Sequence, residues 1–347
     1  MVKNILSIFL SLTFTCSAFS QTESRHLSNI RQLTFGGDNA EAYFSKDGKF
    51  LTCQITNPAW RVACDQIYKI EIAKALADTN YRPELVSTGK GRTTCSYFLP
   101  DGKKILYAST HLANEKCPPP VPHGPKYLWA VYPGFDIFVA DQKGRITKQI
   151  THSPLYDAEG TVAPNGKKMV FTSMRSGDLE LYTMDLDGKH VQQITNELGY
   201  DGGAFFSPDS KKLVFRASRP ATDSARKEYR ELLQQSLVAP PEMEIFTVNA
   251  DGTNLKQVTH LGKANWAPFY LPDGEHIIFS SNHRAARGYD FQLYVIKEDG
   301  TGLEQITTES NFNAFPMFSP DGKYLVFSSN RNNHGTHDTN IFIAEWK

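Results

Sequence analysis

Hydrophobic and polar positions alternate in short bursts along most of this chain, and the bursts keep a fixed order. In one copy, Ala314-Phe315-Pro316-Met317-Phe318 alternates, Pro320-Asp321-Gly322 interrupts, and the apolar run Tyr324-Leu325-Val326-Phe327 follows. Alternation predicts a half-buried strand, and a short apolar run between turn signals predicts a buried one. Within the turn, proline presets φ, aspartate bonds the local backbone and glycine takes the positive φ of a tight hairpin. A third strand shows the pattern of Glu180-Leu181-Tyr182-Thr183-Met184, Glu244-Ile245-Phe246-Thr247-Val248 and Gln292-Leu293-Tyr294-Val295-Ile296. A second turn falls at Asp187-Gly188, Asp251-Gly252 and Asp299-Gly300. The unit then closes on Gln-Ile-Thr or Gln-Val-Thr, as at Gln149-Ile150-Thr151, Gln193-Ile194-Thr195, Gln257-Val258-Thr259 and Gln305-Ile306-Thr307. Four antiparallel strands per unit make one propeller blade.

The first turn recurs at Asp47, Asp101, Asn165, Asp209, Asp273 and Asp321. Periods of roughly 40–50 residues with several short strands mark a propeller. The expected fold is therefore all-β, a six-bladed β-propeller occupying residues 21–347 as one domain. The last unit stops at its third strand, Asn340-Ile341-Phe342-Ile343-Ala344, while an unmatched fourth strand, Ile30-Arg31-Gln32-Leu33-Thr34, stands near the other terminus. Pairing the two closes the ring and removes the exposed edges of an open array.

The Pro-Asp-Gly-Lys turn, the Ser-Ser-Asn-Arg tail and the Gln-Ile-Thr strand resemble the WD-like repeats of the TolB family of six-bladed propellers. The resemblance runs from Ile30 to Lys347. TolB proper also carries an N-terminal α/β domain that docks an inner-membrane partner. About ten residues precede the first strand after the expected cleavage site, so that domain is expected to be missing. Similar propellers precede hydrolase domains in prolyl peptidases, but no Gly-x-Ser-x-Gly elbow occurs here. Others are lyases with a histidine-rich metal site in the pore. The ten histidines here are scattered, and His334, His337 and Asp338 share what is expected to be a solvated loop.

Charge is balanced, with 37 Lys+Arg against 37 Asp+Glu, which gives no reason to propose nucleic acid as a partner. Lys3, the apolar run from Ile5 to Phe14 and the small-x-small triplet Ala18-Phe19-Ser20 read as a signal peptide over residues 1–20. Export to the periplasm or the medium follows. Lipoprotein anchoring at Cys16 is the disfavoured alternative, because Thr13-Phe14-Thr15 matches a lipidation box poorly. The mature chain has no segment long and apolar enough to span a bilayer, and a ring of this size is expected to be a monomer. Four cysteines remain, Cys53, Cys64, Cys95 and Cys117, and an exported chain with an even number suggests disulfides. Three pairings exist. Cys53 with Cys64 across a ladder would leave Cys95–Cys117 to staple a Pro-rich insertion to its own blade.

Eight residues before each turn residue stands a polar side chain at the expected pore mouth: Asn39, Thr93, Asp157, Asp201, Asn265 and Asn313. Glu41 and Glu159 add carboxylates two positions further on. Oxygen ligands converging on an axis suit a cationic group or Ca²⁺, with Asp157 and Asp201 as the metal candidates; no cofactor is otherwise implied. Long insertions at 57–63, 111–135, 220–243, 284–290 and 332–339 fall between second and third strands, hence on the face that carries this ring. One holds Cys117-Pro118-Pro119-Pro120-Val121-Pro122 followed by Tyr127, Trp129 and Tyr132. Another, Asp223 to Val238, predicts an amphipathic helix with Tyr229, Leu232, Leu233 and Leu237 on its apolar face, capped by Asp223 and stopped by Pro240-Pro241. Arg175, Arg219 and Arg331 recur after Ser-x and are expected to join blade to blade. The leading expectation is a non-catalytic scaffold binding an envelope or secreted protein or peptide on the loop-rich face. The alternatives are a pore-centred lyase or hydrolase of envelope sugars or peptides using Asp157, Asp201, Glu41 and Glu159, or an accessory to a separate peptidase.

Overall fold

A computed structural model describes residues 25–347 except 122, 123, 125, 241 and 287. The signal peptide with Cys16, and also Pro122 and Pro241, lie outside the described residues. Six four-stranded antiparallel sheets form the blades. Their inner strands are Asp38–Phe44, Thr93–Phe98, Asp157–Val162, Asp201–Phe206, Asn265–Tyr270 and Asn313–Phe318, for blades one to six in order. The sixth blade takes Leu27–Gln32 as its outer strand, with Leu27 opposite Trp346 and Gln32 opposite Phe342, so the N-terminal strand closes the ring as expected. Aromatic and branched side chains from facing blades fill the spaces between them, and Phe171, Phe215, Phe279 and Phe327 are wholly buried at equivalent positions of the second strands.

Each inner strand runs from one face of the ring, where the blade-to-blade connections lie, towards the Pro-Asp-Gly turns on the other face. The insertions emerge on the first face, here called the loop face. Asp223–Gln234 folds as the expected helix, but Thr222 rather than Asp223 caps it, accepting from the Ala225 N–H. Tyr229 and Leu233 bury its apolar face. Leu237 lies beyond the helix, in the short strand Leu237–Val238. That strand pairs with Trp129–Ala130 from the Pro-rich insertion, so the second and fourth blades meet above the channel.

The expected disulfide pairing is corrected. Cys64 bonds Cys117 with Cα atoms 6.0 Å apart, and Cys53 and Cys95 are free thiols. Register explains the difference: Cys53 stands opposite Tyr68 and is packed in the core, so it never faces Cys64. Cys95 lies on the inner strand of its blade, away from the insertion. The Pro-rich insertion of the second blade is thus stapled to the first blade rather than to its own.

Candidate functional site

The central channel has two ends of opposite chemistry. At the loop end, the six polar mouth residues are at most 1 % exposed. Asn39, Thr93, Asn265 and Asn313 bond the preceding blade through a recurring arrangement. The closing Thr or Ser of one blade accepts from the N–H of that blade's third strand and donates to the first side chain of the same strand. Thr307 does so to Leu293 N and Gln292 Oε1, Ser87 to Ile67 N and Gln66 Oε1, and Thr151 to Ile137 N and Asp136 Oδ1. The mouth residue of the next blade often joins it. Asn313 Nδ2 donates to Gln292 Oε1 at 2.9 Å, and Asn265 Nδ2 donates to Glu244 Oε2 at 3.0 Å. Asn39 donates to the Thr339 carbonyl and Thr93 to the Asp65 carbonyl, both on the preceding blade. The closing Thr or Ser thus orients a third-strand side chain that, at Gln292 and Glu244, clasps the next blade.

Asp157 and Asp201 are held by arginines. Arg175 Nη2 donates to Asp157 Oδ2 at 2.9 Å, and Ser173 donates to Oδ1. Arg219 grips both oxygens of Asp201. Arg331 donates to Asn313. These three arginines pair with the inner strand of their own blade, and Arg219 and Arg331 also reach Glu197 and Glu309 on the connections from the preceding blade, as expected of blade-to-blade contacts. Burial raises the Asp157 pKa, against the opposing pull of Ser173 and Arg175. Burial likewise pushes Asp201 up, although Arg219 opposes it. Each aspartate already has a cation at hydrogen-bonding distance, and no cluster of three or more His, Cys, Asp or Glu able to hold a metal occurs among the described residues. This donor set does not fit Ca²⁺. Asp157 and Arg175 do line a 370 Å³ cavity at the seam of the second and third blades.

Two positions beyond the mouth, every inner strand carries a bulge in which one residue takes a left-handed conformation. These are Glu41, Cys95, Glu159, Gly203, Ala267 and Phe315, with φ between +43° and +59°. Such backbone costs a non-glycine residue roughly 1–2 kcal/mol, and the ring holds it at five non-glycine positions. The sequence carries almost no signal for it, since only Gly203 is a residue that favours positive φ. Glu159 there is 7 % exposed and fully engaged. Arg216 Nη2 donates to its Oε1 at 2.6 Å, as does the Tyr200 hydroxyl at 2.5 Å, and Thr172 and the Gly203 N–H donate to Oε2. Burial alone would raise its pKa, but Arg216 and these donors hold it below the ordinary value. Gly203 is needed here, because a Cβ would stand 1.8 Å from Arg216 Nη1. Trp129 packs over the guanidinium at 5.3 Å and against Trp266 at 4.9 Å, roofing the charged cluster. Glu41 differs. Its Oε2 is buried without a partner, and burial pushes its pKa up to about 7, eased by a hydrogen bond with Cys95 and reinforced by the charge of Glu159.

Towards the turn end the channel turns apolar. Tyr43, Tyr97, Phe205 and Phe269 meet across the axis, with Tyr43 and Phe205, from opposite blades, 5.4 Å apart. Below this diaphragm opens a funnel of 390 Å³. Its rim repeats the residue before each turn residue: Pro100, Pro164, Pro208, Pro272 and Pro320, with Lys46 at the sixth position. Strand alternation alone carries no sign of this funnel, though the Pro-Asp-Gly repeat places its prolines.

A closed ring of six four-stranded blades around an axial channel defines a six-bladed β-propeller. The chain belongs to the TolB β-propeller family: the TolB beta propeller domain profile matches residues 133–221 and 231–344. Solved structures share the fold. A protein assigned as TolB from Agrobacterium tumefaciens superposes with a TM-score of 0.59 at 19% identity, over 90% of this chain and 91% of that one. TolB from Acinetobacter baumannii gives 0.53 at 20% identity over 90% of this chain, which spans 64% of that protein. An oligogalacturonate lyase in complex with manganese gives 0.51 at 13% identity, over 94% and 95%. No helix among the described residues is long and apolar enough to cross a membrane.

Proposed function

We propose that this chain is an exported, non-catalytic propeller, monomeric by itself, that docks a protein or peptide partner on its loop face. The carrying observation is where its exposed apolar side chains lie. Phe35, Leu112, Tyr127, Leu155 and Tyr289 all stand on loop-face connections, with Tyr289 80% and Leu112 63% exposed. Leu85 and Val191, also exposed, sit at the outer edges of their blades. Water-exposed aromatic and aliphatic groups gathered on one face are the usual anchors of a protein interface. The roof of Trp129 over Arg216 and Glu159 supports a contact surface better than a substrate channel. Asp157, Asp201 and Glu159, three of the four carboxylates that a pore enzyme would use, are already engaged in hydrogen bonds and ion pairs. The N-terminal signal pattern and the Cys64–Cys117 disulfide support export to the periplasm or medium.

The test compares wild type with a Leu112→Ser/Tyr127→Ser/Tyr289→Ser variant as bait in an envelope extract. These side chains are exposed, so the fold is expected to survive. A specific protein retained by wild type and lost by the variant supports the reading. Equal retention by both contradicts it.

A further inference from the structure

We propose that the turn-side funnel is a binding site for a single-chain anionic amphiphile, a medium-chain fatty carboxylate, with the chain against the aromatic diaphragm and the carboxylate on Lys46. This site is separate from the loop face and independent of the function proposed for it. Three observations carry the assignment. The cavity measures 390 Å³, within the roughly 300–1,000 Å³ that small-ligand pockets occupy. Its walls are apolar: Tyr97, Phe205, Phe269 and Met317 line the depth, and the rim is almost all proline. The diaphragm closes the inner end, so the site is a blind cup rather than a passage.

The one departure from repetition sets the charge of the ligand. Five blades place proline on the rim and the first blade places Lys46. Several turn-face lysines are matched, among them Lys104 with Asp101, Lys211 with Asp209 and Lys323 with Asp321, and of all the lysines of these turns only Lys46 lines the cavity. Lys46 is exposed and has no ion pair among the described residues. The carboxylates of Asp47, Asp101, Asp273 and Asp321 are tied into their own turns by backbone N–H donors, and none of them lines the cavity. An unpaired ammonium at the lip of an apolar cup complements a molecule with an apolar body and one anionic end. A chain with a cationic head would meet Lys46 unfavourably.

The repeat also supplies the variant. Lys46→Pro restores the residue that five other blades use at the second position of this turn, a position where proline is favoured. Dodecanoate, dodecanol and dodecyltrimethylammonium would be titrated calorimetrically into the full chain, each below the concentration at which it forms micelles. Wild type is expected to bind dodecanoate at one site and to prefer it over dodecanol by about tenfold. Lys46→Pro should lose that preference while keeping the wild-type melting curve and dodecanol affinity. Phe269→Glu, which places a carboxylate in the cup, should abolish dodecanoate binding. Absence of saturable dodecanoate binding to wild type overturns the assignment. So does an unchanged dodecanoate affinity in Lys46→Pro, or tighter binding of the cationic chain.

Discussion

The two ends of the channel are built from the same six strands and treat them in opposite ways. The loop end spends its polar residues inward: mouth side chains clasp the neighbouring blade or pair with arginine, and Trp129 roofs what remains. The turn end spends nothing inward. Its walls are largely apolar, and its rim is proline except for Lys46. In a propeller, polar residues near the axis are therefore poor markers of a ligand site until their partners are known. Repetition builds the scaffold, and residues that break it, such as Lys46 and the exposed side chains of the insertions, are better markers.

The sharpest way to break this contrast is at the buried ion pair. Arg216→Leu leaves the Glu159 carboxylate buried without its cation. Loss of about 3–5 kcal/mol in urea unfolding is expected; a loss under 1 kcal/mol would mean that the cluster is not structural. Next comes the staple. Cys64→Ser should cost about 2–4 kcal/mol, because the bond closes a loop of 53 residues in sequence. Thiol labelling of the unfolded, unreduced protein should mark Cys53 and Cys95 and spare Cys64 and Cys117. Labelling of all four would contradict the pairing.

Glu41 tests the loop end by pH. Folded, it keeps its proton up to about 7, whereas unfolded it releases it near 4.5. Between these values the folded chain holds more protons, so stability falls as pH rises. The contribution is complete below 4.5 and lost above about 7. Glu41→Gln imitates the protonated form. It should flatten this slope and stabilise the protein at alkaline pH by about 2–3 kcal/mol, read from unfolding curves across the range. The smallest expected effect lies on the roof: Thr222→Ala removes the helix cap and should cost about 1 kcal/mol.

Much of the fold was legible because repetition averages out local ambiguity. Six copies of the turn fixed the blade count, and the orphan strand near Leu33 fixed ring closure. The helix at Asp223–Gln234 was readable from its apolar face. Its cap was misplaced by one residue, since Thr222 and Asp223 are both good caps and only backbone geometry chooses. The disulfide was not legible, because pairing depends on which face of a strand each cysteine occupies after folding. The mouth residues were readable as a polar ring, but not their partners, which come from in or next to the third strand of the preceding blade and from arginines 18 residues further along the same blade. The left-handed ring and the apolar funnel arise from how inner strands bulge and converge on the axis, and a linear pattern holds little trace of either.

The proposed division of labour between the two faces has one direct measurement. A photo-cross-linking amino acid would replace Tyr289 on the loop face or Lys323 on the turn face, and the chain would be irradiated in its native envelope. The account predicts a discrete protein adduct from position 289 and none from position 323. An adduct from 323 alone, or no adduct from 289, would contradict it.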